Sequence, residues 1–193
     1  MIVLASTSPW RRELLGRLGL PFAVESPGVD ETPAPGEDGR ATAQRLARAK
    51  AHAVAVRHPG ALVIGSDQVC LAGARVLGKP GSAAAACAQL ASLSGQRAVF
   101  ATALCVLDGA GRREFDGCVD TTVDFLALDA ARIARYVARE QPLDCAGSFK
   151  VEGLGISLFE SVRSEDPTAL VGLPMILLCR FLRAAGVEPL AAA

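Results

Sequence analysis

Asparagine is absent from all 193 residues, which excludes N-linked glycosylation at every position. Histidine is nearly absent. Only His52 and His58 occur, in or just after one Ala/Arg-rich segment, so no Ser–His or Cys–His catalytic arrangement can be built and a surface role is expected for both. An excess of either charge is missing: 20 Lys plus Arg balance 20 Asp plus Glu, which argues against a globally basic protein and a stable nucleic-acid complex. Long hydrophobic runs are missing as well. The most apolar one, "ALVGLPMILLC", stops at Arg180, contains Gly172 and Pro174 and is too short to span a bilayer. No positive charge precedes the apolar start, which ends before Arg11, so a signal peptide is not expected and a cytoplasmic location is the default.

Cysteines are present, at positions 70, 87, 105, 118, 145 and 179, but no CxxC pair is. The spacings fit no zinc site, and a chain of this size needs no disulfide staples, so buried reduced thiols are expected. Lysine is scarce: Lys50, Lys79 and Lys150 are the whole set among 20 basic residues. A lysine kept where arginine is otherwise used suits a compact ammonium on a phosphate oxygen, where a guanidinium fork is too large.

The rest is ordinary for a globular protein: 51% apolar and 21% charged residues in a length that supports one substantial core and a single domain over 1–193. Residues 2–6 read as a buried strand. Pro9 opens a helix with Leu14, Leu15 and Leu18 at helical spacing, ended by Gly19. "FAVES" reads as a short strand and "PGVDETPAPGEDG" as a loop. Residues 41–57 form a strong helix, and "ALVIGSD" a continuous buried strand closed by Asp67. Residues 68–78 read as a hairpin-like extension, and Ser82 caps a helix running to Leu93. Two long strands, "AVFATALCVLD" and "REFDGCVDTTVDFLAL", flank a "GAGR" turn. A helix follows Asp129, then a Gly-punctuated loop, a strand "ISLFESV" and a last helix from near Pro174 to Ala185. Early βα alternation with long antiparallel candidates in the middle predicts one α/β unit with a mixed sheet. "GARVLGKP" is a decoy P-loop: Pro80 offers neither hydroxyl nor N–H where a phosphate loop needs both.

Polar groups gather where the first and third apolar strands end. Ser6, Thr7, Ser8, Arg11 and Arg12 stand at a helix N-terminus, the makings of an anion site. Asp30 and Glu31 lie in the "VDET" loop. Asp67 ends a buried strand, where a carboxylate is costly without a metal, a proton donor or a partner. Lys79 follows in "GKP", and Lys150 and Glu152 in "GSFKVEG". Carboxylates that hold a hard divalent cation, basic groups on phosphates and one carboxylate to deprotonate a water are the parts of phosphoryl chemistry.

Taken in order, "LASTSPWRREL", "VDE", "GSDQV", "GKP", "LSGQ", "CAGSF" and "VGLP" resemble the Maf family of nucleotide pyrophosphatases over essentially the whole chain. The resemblance implies a mixed α/β fold, related to the inosine-triphosphate pyrophosphatases, with two lobes flanking a deep substrate cleft. It implies cleavage between the α and β phosphates of a nucleoside triphosphate, with Mg²⁺ or Mn²⁺, in a homodimer. By similarity Asp67 is the proton acceptor, and Ser8, Arg12, Glu31, Lys50 and Lys79 match cleft positions. Glu31 and Asp67 would then face metal and water, with Arg12, Lys50 and Lys79 on phosphates beside Arg11. Three positions separate branches of the family and read here Trp10, Gln68 and Glu152, as in the branch similar to 7-methyl-GTP pyrophosphatase; the dTTP/UTP branch typically has "SPRR", "DT" and a later Gln. A cationic methylated guanine stacks well on indole, and a carboxylate can accept from its N1–H and amine. Two other readings stand: a broader pyrophosphatase acting on dTTP, UTP or noncanonical nucleotides, and a nucleotide-binding regulator of cell division or septum formation.

Overall fold

The computed structural model describes residues 1–108 and 113–191; the expected turn at 109–112 lies outside them. In chain order the elements are β1 (Ile2–Ala5), α1 (Pro9–Gly16), β2 (Phe22–Glu25), α2 (Gly39–Ala55), β3 (Leu62–Ala72), β4 (Arg75–Leu77), α3 (Ala83–Leu93), β5 (Arg97–Asp108), β6 (Glu114–Phe125), α4 (Ala130–Glu140), β7 (Phe159–Ser164) and α5 (Met175–Ala184). Strand order is β2-β1-β3-β5-β6-β7, with β4 paired to β3. β1 runs parallel to β2 and β3, while β3–β4 and β6–β7 are antiparallel. This is the mixed α/β sheet that the sequence predicts.

Two compact units form. The first comprises Met1–Gln68, Thr102–Val119 and Asp166–Ala193. Its core joins Ile2 and Leu4 of β1, Leu14 and Leu15 of α1, Ile64 of β3, Leu104 and Val106 of β5, and Leu173, Leu178 and Leu182 at and within α5. Burying Leu14 and Leu15 at one end of α1 leaves Pro9 to Arg12 at the other, where the polar groups are. The second unit comprises Val69–Ala101 and Asp120–Glu165. Phe100, Phe125, Phe149 and Phe159 meet edge to face there, at ring-centroid distances of 4.8–5.8 Å.

Several boundaries differ from expectation. Asp67 does not end its strand: β3 continues to Ala72, because Cys70, Leu71 and Ala72 pair with β4. α1 stops at Gly16, three residues early, as Arg17, Leu18 and Gly19 close i→i+3 turns instead. Residues 156–158, read as the start of a strand, belong instead to a 3₁₀ turn over Leu154–Leu158, with Gly155 N–H bonded to the Lys150 carbonyl. β6 ends at Phe125, and Leu126 to Leu128 leave the ladder. All six cysteines are free thiols; Cys70 and Cys105 are buried, whereas the other four are half-buried rather than fully buried as expected. His52 is exposed beside Glu114, but His58 is half-buried on Glu25, tied to it by a short contact that a surface role did not anticipate.

Candidate active site

The first functional segment is the turn between β1 and α1. Ser8 holds an extended backbone and caps α1, its hydroxyl accepting from Arg11 N–H at 3.4 Å. Ser6 supports the turn by accepting from Ser8 N–H at 3.1 Å. The two arginines then diverge. Arg11 is half-buried and donates Nε to the Gly172 carbonyl at 2.8 Å. Arg12 is exposed and, with Thr7, Ser8, Pro9, Glu13, Gly16, Phe22 and Val24, lines a hollow of about 410 Å³. Trp10 stands open, 38% exposed.

The second segment is set by a glycine. A Cβ on Gly65 would lie 2.2 Å from the Ala47 carbonyl oxygen and 2.7 Å from the Ala51 nitrogen, so only glycine lets α2 approach β3 this closely. That approach brings Lys50 of α2 to Asp67 of β3. Lys50 Nζ lies 2.6 Å from Asp67 Oδ1 and 2.6 Å from Glu31 Oε1. The lysine and Asp67 are buried, and Glu31 is half-exposed at 49%. The loop that carries Glu31 is held by Arg45, which bonds Glu37 through Nε at 2.8 Å and the Thr32 carbonyl through Nη2 at 3.1 Å.

Burial dominates the electrostatics. It pushes the Asp67 carboxyl above its ordinary range, against the pull of the Lys50 charge and hydrogen bond and of Arg11, and Glu31 adds to the rise. Burial likewise lowers the Arg11 guanidinium, with Asp67 and Glu31 opposing. A poised carboxylate, a half-open carboxylate, a buried ammonium and a guanidinium thus belong to one neighbourhood. Such a set can take a proton from water and stabilise anionic oxygens.

The remaining sequence candidates separate. Gln68, on β3, donates its amide to Thr102 Oγ1 at 2.9 Å and to the Ala169 and Leu170 carbonyls at 3.0 and 3.1 Å. Lys79 and Glu152 belong to the second unit, both exposed. Lys79 sits in the loop before α3, beside Gly78, whose carbonyl accepts from Gln89 at 3.1 Å. Glu152 sits in a tight turn where Gly153 N–H bonds the Lys150 carbonyl at 3.2 Å. Lys150, the third rare lysine, serves the fold: its Nζ donates to the Glu140 and Gln141 carbonyls at 3.3 Å each, closing the C-terminus of α4. Among the described residues no group of three or more His, Cys, Asp or Glu could hold a metal ion. No described helix is long and apolar enough to cross a membrane.

Sequence reasoning missed Ser66, Thr102, Asp166, Thr168 and Gly172, whose hydrogen bonds meet in the turn of residues 166–173. "SEDPT" reads as solvated loop, and nothing local marks Asp166 as buried. Ser66 does lie inside "GSDQV" and Gly172 inside "VGLP", the available signals.

The chain is 53% identical to a 7-methyl-GTP pyrophosphatase of Chromohalobacter salexigens, over 98% of each chain. It is 52% identical to one of Pseudomonas aeruginosa over 97% of each, and 55% identical to one of Xanthomonas oryzae pv. oryzae over 96% of each. A solved nucleoside-triphosphatase / dITP/XTP pyrophosphatase from Mycobacterium abscessus aligns at 18% identity and a TM-score of 0.45, over 96% of this chain and 95% of that one. The sequence profile of the Maf-like proteins matches residues 1–185, and the chain belongs to that family.

Proposed function

We propose that the protein hydrolyses 7-methyl-GTP to 7-methyl-GMP and pyrophosphate. The observation that carries this reading is the buried Lys50–Asp67 pair with Glu31, in a chain more than half identical to proteins of that name. Asp67 takes a proton from a water whose oxygen attacks the α-phosphorus; the bond from that phosphorus to the α–β bridging oxygen breaks, and pyrophosphate leaves. A carboxylate raised by burial is a better base for this step than a solvated one. Lys50 bridges the two carboxylates at rest and, on its flexible stem, can turn toward a phosphate oxygen. The hydroxyl of Ser8 at the α1 N-terminus, Arg11 and Arg12 supply further donors for the triphosphate, and Lys79 is carried over as a phosphate residue from the family resemblance alone.

A divalent cation fits the donor set in one manner. Mg²⁺ is commonly held by one or two carboxylates plus substrate phosphates and waters, rather than by an all-protein cage. Glu31, half-exposed, and Asp67 are such a pair, and Mg²⁺ or Mn²⁺ held there would offset charge on the phosphates. The open indole of Trp10 suits stacking on a cationic methylated base, while Gln68 and Glu152 are carried over as discriminating positions from the family resemblance alone. The same reading makes the protein a cytoplasmic homodimer that forms no stable nucleic-acid complex.

The test is pyrophosphate release from 7-methyl-GTP beside GTP, UTP and dTTP, with Mg²⁺ and with Mn²⁺. The expected preference for the methylated base is more than about tenfold in kcat/KM. Equal turnover of UTP or dTTP would discard the base assignment and keep the chemistry; no turnover of any nucleotide would discard both.

A further inference from the structure

Asp166 is a carboxylate with 1% of its surface exposed, and it lies in none of the motifs that carry the family resemblance. Its Oδ1 accepts from the Thr168 N–H at 3.0 Å and the Thr168 hydroxyl at 2.7 Å. Its Oδ2 accepts from the Ile176 N–H at 2.6 Å. Thr168 Oγ1 in turn accepts from Met175 N–H at 2.8 Å. Pro174, at the cap position of α5, has no side-chain bond to give, so Asp166 and Thr168 close that helix N-terminus from outside. These bonds shape residues 166–176 into a defined turn around a short 3₁₀ segment, Ala169–Val171.

The carbonyls of this turn meet the two residues that flank Asp67. Ser66 Oγ lies 2.9 Å from the Gly172 carbonyl oxygen and 2.8 Å from that of Ala103. Gln68 gives its amide to the Ala169 and Leu170 carbonyls. Gly172 O accepts Arg11 Nε as well, and a Cβ on Gly172, whose φ is +117°, would stand 3.2 Å from that nitrogen. Side chains alternate along a strand, so Ser66 and Gln68 share the face opposite Asp67. Tying both neighbours to one turn fixes the rotation of β3 at Asp67 and hence the direction of its carboxylate.

We infer that Asp166 and Ser66 are positioning residues. The turn anchored by Asp166 aims Asp67 at Lys50 and holds Arg11 in the same frame. The catalytic consequence rests on the pyrophosphatase reading; the geometric one does not.

Ser66→Ala and Asp166→Asn in the full chain provide the test, with two readouts. The crystal structure of Ser66→Ala is expected to show the Asp67 carboxylate displaced from its 2.6 Å contact with Lys50, or spread over several orientations. The kcat for 7-methyl-GTP is expected to fall about tenfold to a hundredfold in both variants while KM stays within about twofold, since misplacing a reacting group acts on the chemical step. A residue with only a structural role would lower Tm and leave the kcat of the folded fraction unchanged. An unmoved Asp67 carboxylate, or a Ser66→Ala kcat within about twofold of the parent, overturns the inference. If Asp166→Asn fails to fold, Ser66→Ala decides. An inactive parent protein whose Asp67 is nevertheless displaced by Ser66→Ala discards the pyrophosphatase reading and keeps the positioning role.

Discussion

Asp67 on β3 and Asp124 on β6 each face cations across short contacts, yet their carboxyl groups shift in opposite directions. Asp124 is surrounded by Arg97 at 2.7 Å, Arg163 and the Ser161 hydroxyl at 2.9 Å, and these donors hold its pKa far below the ordinary range. Asp67 has Lys50 at 2.6 Å, but burial outweighs that partner and raises its pKa. At Asp124 water keeps the charged form inexpensive and each donor adds to it. At Asp67 the ammonium recovers only part of what water supplied. The difference separates a carboxylate that fastens strands together from one whose proton can be exchanged in a reaction.

The sharpest break of this contrast is Asp67→Asn. Turnover should fall by about 10³-fold, while the fold survives, since removing a general base commonly costs 10²–10⁴. Its stability should move the other way. A carboxyl whose folded pKa is raised binds its proton more tightly when folded, so the charged form costs stability above that pKa and nothing below the unfolded value. The Tm advantage of Asp67→Asn over the parent should therefore grow as pH rises from acid to neutral.

Lys50→Met removes the buried cation from both carboxylates. Leaving one partner of a buried pair uncompensated costs about 3 kcal/mol, to be read by denaturant unfolding. With its largest lowering influence gone, Asp67 should titrate still higher, moving the acid limb of kcat/KM to higher pH. Gly65→Ala attacks the same pair through the backbone. The added carbon overlaps the Ala47 carbonyl, so α2 must shift, at about 2 kcal/mol of stability, and Lys50 shifts with it. An unchanged Tm and kcat in this variant would show that the close approach is not what places Lys50.

The smallest effect is expected at the Glu37–Arg45 pair. Glu37 is lowered from 4.5 to about 2, chiefly by its Arg45 hydrogen bond and then by the Ala34 N–H. A depressed carboxyl contributes stability that is full above its unfolded value and lost as pH falls toward the folded one. The Tm of Glu37→Gln should thus differ from the parent at neutral pH and converge with it between about pH 4.5 and 2. Turnover at neutral pH should barely change if the Glu31 loop keeps its place, whereas a large loss would mean that the Glu37–Arg45 clasp sets Glu31.

How far these features were legible depends on how local they are. The strand-to-helix turn at Ser8–Pro9 was readable because a cap and a first-turn proline act on adjacent residues. The helix of residues 41–57 was readable to within two residues because its apolar face repeats every turn, though its true cap, Asp38, lay in what read as loop. The hairpin over residues 68–78 was readable too, and it forms where β3 pairs with β4; that its first arm is one continuous strand with Asp67 was not.

Residue chemistry and spacing were enough for a mixed α/β chain, the scarcity of lysine, and the candidacy of Glu31, Lys50 and Asp67 as chemical groups. Tertiary structure alone decided that Lys50 sits between the two carboxylates, that Lys150 closes a helix, that Arg11 and Arg12 part company, and that Asp166 is buried. The physical reason is common to all four. Composition states which charges a chain carries, but the energy of a charge depends on how much water its neighbours leave it and which donors they bring, and those neighbours come from distant segments.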